Sequence, residues 1–458
     1  MLLTILLTLP VRVQAATLPC RIEIVETDSG WPVPLVELLT THQVRFVSDN
    51  AGIIAFDLPE LMDRATWFDI QGHGYEVARD GFGYAGIRLT PRPGDTLRVE
   101  VRRSIIARRL GRLTGAGLFA ESARFNPSDA GPESGVLGCD SVQTTLHDGR
   151  RFWLWGDTTL ARYPLGVFHS TAAFTEAQPL VHYQPPLRLH FQPLTDTKGS
   201  PREVARMPGD GPTWLSACLS LPDASGQPRL VASYMKIRPP LEAYEWGLCV
   251  WNDRTSQFER HKILWTQSSD NPKPPPLPQG HAQLWQDPDG TSWALFGNPF
   301  PFLRCPASFE AWEQPATWEP LTPVTTLQAA NNTGHIQVHS AAHSGSIAWH
   351  PWRQRWVAIV LQSLGKPSDF GELWYTEARH PTGPWGPAVK VLSHPNYTFY
   401  NPRLHADLTP TNAPILLFEG TFTAQFADRP QPVPRYDYNQ ILYRLDLDDP
   451  RLAPAQVP

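Results

Sequence analysis

The chain has 458 residues, a net charge of −5, 17 Trp, 48 Pro and only 4 Met. That length is too great for one ordinary small core and calls for two domains, or one large repeat domain with a small one. The acidic balance implies no basic face, so nucleic acid is not the expected partner, and abundant Pro and Trp with few long helical patterns point to an all-β chain.

The first stretch, MLLTILLTLPVRVQA, is a short apolar run with a small-residue exit at Val13-Gln14-Ala15. It reads as a secretory signal over residues 1–15. The run is too short to span a bilayer and no other stretch qualifies. The expectation is therefore a secreted or periplasmic monomer without a membrane span. The five cysteines, Cys20, Cys139, Cys218, Cys249 and Cys305, form no CxxC and no Cys/His metal spacing. Cys218 and Cys249 fall in one repeat, where they read either as a disulfide or as buried small hydrophobes.

Residues 20–103 carry seven short strand-like runs: CRIEIVE, PLVELLT, VRFVSD, GIIAFDL, ATWFDIQG, GIRLTP and TLRVEVRR. Turn clusters such as TDSGWP and PRPGD separate them, which predicts a seven-stranded β-sandwich. The phrases DSGWPVPLVEL and SDNAGIIAF resemble the transthyretin-like, carboxypeptidase regulatory-like domain of exported bacterial proteins. That resemblance implies a spacer or folding partner without a catalytic role. Residues 104–136 read as a linker with a basic, helical start.

From 137 to 450 a three-strand pattern recurs. The middle strands are RFWLWGDT (151–158), PRLVASYMK (228–236), SWALFGNP (292–299), RWVAIVLQ (355–362) and PILLFEGT (414–421). Strands over 139–146, 212–221, 281–287, 344–351 and 401–408 precede them. Strands over 165–170, 246–252, 301–306, 372–378 and 440–447 follow. Turns such as HDGR and DPDGT join first to second strands as hairpins. Five copies at this spacing predict a five-bladed β-propeller; the competitor is a six-bladed ring with a cryptic blade over 176–208.

Strands alternate direction within a blade, so first-strand starts, second-strand ends and third-strand starts share one rim. Asp140, Asp157, Glu245, Glu372 and Glu419 gather there, and Glu377 belongs to the opposite face. Clustered acids raise one another's pKa, which suits acid/base chemistry on a neutral polyol. Glycoside hydrolysis needs one carboxylic acid to protonate the leaving oxygen and one carboxylate to activate water or attack. Asp140 is the candidate base. Glu245 and Glu372, then Glu419, compete for the acid, with Asp157 orienting or tuning it. Lys236, His281, Asn298, Asn401 and Tyr436 are the candidate sugar contacts. Each has a plainer reading: Asp157 as a turn cap, Glu419 paired with Arg435, Tyr436 as a structural tyrosine, and His405 buried and hydrogen-bonded.

GCDS, the GDT after an aromatic strand, LWYTEARHPTGPW and FYNP resemble the five-bladed propeller glycosidases that act on arabinans and xylans, and their neutral-agaro-oligosaccharide relatives. The resemblance covers about 137–450. It implies an exported, inverting hydrolase of a neutral glycan, with Asp140 matching the family's first-blade Asp. The family's Asp-containing motif on a middle blade is absent; GHAQ stands there instead. A non-catalytic carbohydrate-binding propeller is the second reading, and a polysaccharide lyase the third. No cofactor is expected, and the oxygen ligands that a central Ca²⁺ would need do not assemble from this chain.

Overall fold

The computed structural model describes residues 18–130, 134–161, 163–167, 170–330, 334–338, 344–366, 368–395, 397–424, 427 and 435–457. The leader expected over 1–15 lies outside them, as do residues 168 and 169 of the run 165–170. Phe309–Trp312 is the only α-helix among the described residues; the rest of the regular structure is strand and short 3₁₀ turns.

Residues 20–103 form two four-stranded sheets. One has the order Ile53–Phe56, Cys20–Glu26, Thr96–Arg103, Tyr75–Glu76; the other Arg45–Val47, Glu37–Thr40, Thr66–Gln71, Gly86–Leu89. Eight strands stand where seven were expected, the eighth being the two-residue Tyr75–Glu76. Thr96–Arg103 alternates buried and exposed positions, as a strand with one wet face must. Ile22, Ile24, Val99 and Val101 of the first sheet meet Leu38, Phe68 and Ile70 of the second in one core.

Five further four-stranded antiparallel sheets follow. The first runs Gln143–His147, Arg150–Trp155, Thr171–Glu176, Gln192–Pro193, and the second Thr213–Pro222, Pro228–Arg238, Glu242–Asn252, Gln257–Thr266. The third is Gln283–Gln286, Ser292–Gly297, Pro301–Pro306, Glu319–Pro320, and the fourth Gly345–His350, Arg355–Leu361, Glu372–Ala378, Val389–Ser393. In the fifth, Thr398–Leu404, Ile415–Thr423 and Asn439–Asp446 are completed by Arg108–Arg112 from far upstream. This last strand lies in the stretch read as a linker with a helical start, so that reading is corrected.

Middle strands such as Arg355–Leu361 are buried along nearly their whole length, because both faces are covered; hence their continuous apolar runs. Each seam between successive sheets has its own core. Phe152 and Leu154 pack with Tyr234 and Cys249, Leu219 and Leu248 with Phe296 and Leu303, and Leu295 with Ile347 and Val360. Ile359 and Tyr375 pack with Leu404 and Phe418. Leu417 and Leu442 of the fifth sheet return to Trp153 and Trp155 of the first. The hairpins close on aspartates: Asp223 Oδ1 accepts from the Ser225 and Gln227 N–H groups at 2.9 and 3.0 Å, with Gly226 at φ +80°.

Two strand readings change. The third strand of the first sheet is Thr171–Glu176, not 165–170. Tyr163–Val167 instead joins Gly138–Cys139 and Thr158–Leu160 in a small three-stranded sheet. Within 176–208 the only strand beyond the end of Thr171–Glu176 is Gln192–Pro193, the outer strand of the first sheet, so no sixth four-stranded sheet arises there among the described residues. All five cysteines are buried free thiols, including Cys218 and Cys249.

Candidate functional site

The small sheet sets the centre of the site. Cys139 pairs with Thr158 and Gly138 with Thr159, which brings the two residues just beyond, Asp140 and Asp157, side by side. The Asp140 N–H donates to the Asp157 carbonyl at 3.2 Å, and the Gly156 N–H to the Asp140 carbonyl at 2.8 Å. A Cβ at Gly156 would stand 2.3 Å from Asp140 Oδ1, so only glycine lets that carboxylate lie across the turn. Asp140 therefore sits in a break between strands, followed by Ser141 at φ +52°, rather than opening the inner strand as expected.

The fifth sheet supplies the next group. Its first strand is irregular between Tyr400 and Arg403, with Asn401 at φ +52°. That bulge places the Tyr400 hydroxyl to donate to Asp140 Oδ2 at 3.0 Å. Gln440 ties the same sheet to the acid's strand, its Nε2 donating to the Cys139 carbonyl at 3.1 Å and to Thr421 Oγ1 at 2.7 Å. Tyr438 stands beside Tyr400 and both aspartates, and Trp214 of the second sheet reaches Asp157. Asp140, Asp157, Trp214 and Tyr438 are half-buried, while Tyr400 is buried.

These surroundings set the protonation states. Burial first, then the negative charge of Asp140, push Asp157 up to about 7, with the Trp214 indole pulling the other way. Burial and the adjacent Asp140 carboxylate raise Tyr400 well above the ordinary phenol range. Burial also raises Tyr438, helped by the charge of Asp140. Both phenols therefore act as neutral donors at physiological pH. The pair thus consists of a carboxyl that stays half-protonated near neutrality and a carboxylate held by a hydroxyl.

The other predicted acids do not join this pair; each has a partner of its own. Glu245 accepts from Arg260 Nη2 and from the Tyr234 hydroxyl, both at 2.8 Å. Glu372 is buried against Lys390 Nζ at 2.9 Å. Glu419, fully buried, meets His405 Nε2 at 2.7 Å, so Arg435 is not its partner; Arg435 pairs with Glu121. The buried, hydrogen-bonded reading of His405 matches what is seen. Glu377 is clasped by Arg353 through two bonds of 2.8 Å.

The predicted sugar contacts divide in the same way. Lys236 is fully buried and donates to Gly211 O at 2.7 Å, Met207 O at 3.3 Å and Thr213 Oγ1 at 3.4 Å. It props the 207–213 loop and offers nothing to a ligand. Asn298 Oδ1 accepts from the Ser344 and Gly345 N–H groups at 3.0 Å each, fixing the start of the fourth sheet. Tyr436 donates to Glu37 Oε1 at 2.5 Å under the N-terminal sheets, which corrects its placement at the rim. His281 is buried at the entry to the third sheet, and Asn401 is buried in the bulge beside Tyr400.

Sequence reasoning missed Tyr400, Tyr438 and Trp214. The signals were present: Tyr400 lies in FYNP, Tyr438 is two residues past Tyr436 in RYDYNQ, and Trp214 follows Thr213 at a first-strand start. Among the described residues no group of three or more His, Cys, Asp or Glu is placed to hold a metal ion. No helix among them is long and apolar enough to cross a membrane.

No protein family's sequence profile matches the chain, and no curated protein matches it. Solved structures do. An exo-β-1,3-galactanase-like protein of Bifidobacterium bifidum is 12% identical, covering 68% of this chain and 90% of its own, with a TM-score of 0.39. An exo-1,5-α-L-arabinanase from a bovine ruminal metagenomic library is 10% identical, covering 68% and 94%, with a TM-score of 0.39. The native arabinanase of Bacillus subtilis is 12% identical, covering 67% and 96%, with a TM-score of 0.34.

Proposed function

We propose that the chain is a glycoside hydrolase of a neutral glycan, with Asp157 as proton donor and Asp140 as ionised base. The observation that carries this reading is the pair itself: Asp157 is raised to about 7 beside Asp140, and Tyr400 fixes the Asp140 carboxylate. Asp157 delivers its proton to the glycosidic oxygen as the bond to the anomeric carbon breaks. Asp140 takes a proton from the attacking water, the role of the second carboxylate in glycoside hydrolysis. Trp214 offers a face for a sugar ring, and Tyr438 a hydroxyl for its edge. In this reading the five sheets are blades of one propeller, the N-terminal sheets are a transthyretin-like unit, and the protein is exported as a monomer.

The test is reducing-sugar release from a panel of arabinans, xylans and galactans by wild type, Asp140→Asn and Asp157→Asn. Loss in both variants, with folding intact, supports the assignment; the anomer formed first, read by NMR, checks inversion. Retained activity in Asp157→Asn moves the proton donor elsewhere. One observation favours a second reading, a non-catalytic glycan-binding surface: Glu245 and Glu372 are each paired with a cation, and Glu419 is buried against His405. Retention of wild type on a glycan with no release of sugar selects that reading.

A further inference from the structure

The tip of the hairpin before Gly86–Leu89 in the N-terminal sheets holds two aromatic rings in solvent. Phe82 is 90% exposed and Tyr84 is 62% exposed. The turn beneath them is rigid. Asp80 Oδ1 accepts from the Phe82 and Tyr84 N–H groups at 2.9 and 3.0 Å. The Asp80 N–H donates to the Tyr84 carbonyl at 2.9 Å, and the Gly83 N–H to the Asp80 carbonyl at 3.0 Å. Arg79 Nη1 donates to the Gly83 carbonyl at 2.7 Å, and Gly83 takes φ +88°, which only glycine adopts freely. A third ring lies on the neighbouring strand: Trp67 of Thr66–Gln71 covers Gly86, where an added Cβ would meet its Cζ2 at 2.7 Å.

A large aromatic side chain held in water by a preorganised turn gains nothing for folding, and such surfaces mark recognition sites. The chemistry of the tip narrows the partner. Its two charged residues, Arg79 and Asp80, are of opposite sign and both hydrogen-bond inside the turn, so the tip carries no net charge and its exposed rings are aromatic. The tip has no cationic cluster to hold an anionic lipid surface. Flat rings without charge suit the apolar faces of neutral sugar rings. We propose that Phe82 and Tyr84 form a second glycan-contact surface, separate from the Asp140–Asp157 pair, which holds the polymer that the pair acts on. This rests on the glycan reading above.

The test uses the full chain carrying Phe82→Ala, Tyr84→Ala, or both. Retention on insoluble polysaccharides and mobility in glycan-containing gels are measured beside hydrolysis of a short aryl glycoside. The expected result is at least tenfold weaker retention of the double variant, with short-substrate turnover unchanged. Equal retention of wild type and double variant, while wild type still binds or cleaves the polymer, overturns this inference alone. Wild type that neither binds nor cleaves any glycan overturns the glycan reading, and this inference with it. Binding to phosphatidylcholine vesicles, or self-association in sedimentation, that the double variant abolishes while glycan retention is unchanged assigns the tip to that other partner and also overturns it.

Discussion

At the scale of single residues, Asp157 is where function and stability pull apart. A carboxyl raised to about 7 in the folded chain ionises near its ordinary 3.8 when unfolded, so the unfolded state binds fewer protons between those values. Stability contributed by the held proton is full below the lower value and is lost as pH rises through about 7. Asp157→Asn removes that penalty. We expect the variant to be more stable than wild type at pH 8, by about 1–3 kcal/mol once screening around a half-buried group is discounted, and no more stable at pH 3. Thermal unfolding at the two pH values checks this. The same variant should lose about 10²–10⁴-fold in kcat, and wild-type activity should fall above about pH 7 as the donor deprotonates. A variant equally stable at both pH values would place the carboxyl in an ordinary solvated setting and remove it as the acid.

At the scale of elements, the strand Arg108–Arg112 decides whether the fifth sheet is complete. Asn50 of the N-terminal sheets grips it from outside. Asn50 Nδ2 donates to the Arg112 carbonyl at 2.9 Å, and Asn50 Oδ1 accepts from the Arg112 N–H at 3.0 Å. Gly111 takes φ +138°, and a Cβ there would stand 2.4 Å from Asn50 Oδ1. Asn50→Ala leaves two backbone groups of the strand without their partner. It should cost about 1–3 kcal/mol, read as a lower urea midpoint at unchanged slope; an unchanged midpoint would show that water replaces the clasp freely. This strand also marks the limit of what the sequence makes legible. Runs such as RWVAIVLQ and PRLVASYMK show their strands because burial on both faces demands unbroken apolar stretches. SIIARRLGRLTG hides its strand because Arg109 and Arg112 spend their charge on backbone carbonyls. The site divides likewise. Asp140 and Asp157 stand out as acids at strand ends, and the antiparallel reading brings both to one rim. Their partners depend on a bulge at Asn401 and on a sheet of two- to five-residue strands, which no periodicity announces. Nor does a sequence show that Glu245 has Arg260 across the sheet, or that Lys236 folds inward onto three oxygens.

At the scale of the whole molecule, the N-terminal sheets act as part of the larger body's core rather than as a spacer. Arg109 lies in the closing strand of the fifth sheet, yet its side chain is satisfied by the N-terminal unit. Its guanidinium donates to Pro34 O at 2.9 Å, His73 O at 3.1 Å and Leu35 O at 3.2 Å. Tyr436 reaches Glu37 across the same seam, and Leu35 and Val47 belong to the apolar cluster of the fourth and fifth sheets. Without residues 20–103, a buried guanidinium loses all three of those acceptors, and the face bearing Tyr436 is stripped of its cover. The guanidinium, returned to water, loses only the net worth of its hydrogen bonds, about 1.5–3 kcal/mol each, on top of the apolar surface exposed at about 25 cal/mol per Å². Calorimetry of the full chain should therefore give one cooperative transition, and a chain beginning at residue 104 should melt at least 10 °C lower or fail to stay soluble. Two separate transitions, with the shortened chain keeping the upper one, would mean the seam is a loose contact. Arg109→Met separates the two contributions. It keeps the apolar cover and removes the charge, so a small loss in Arg109→Met beside a large loss on truncation assigns the coupling to Leu35, Val47 and their neighbours. Comparable losses in the two assign it to the guanidinium.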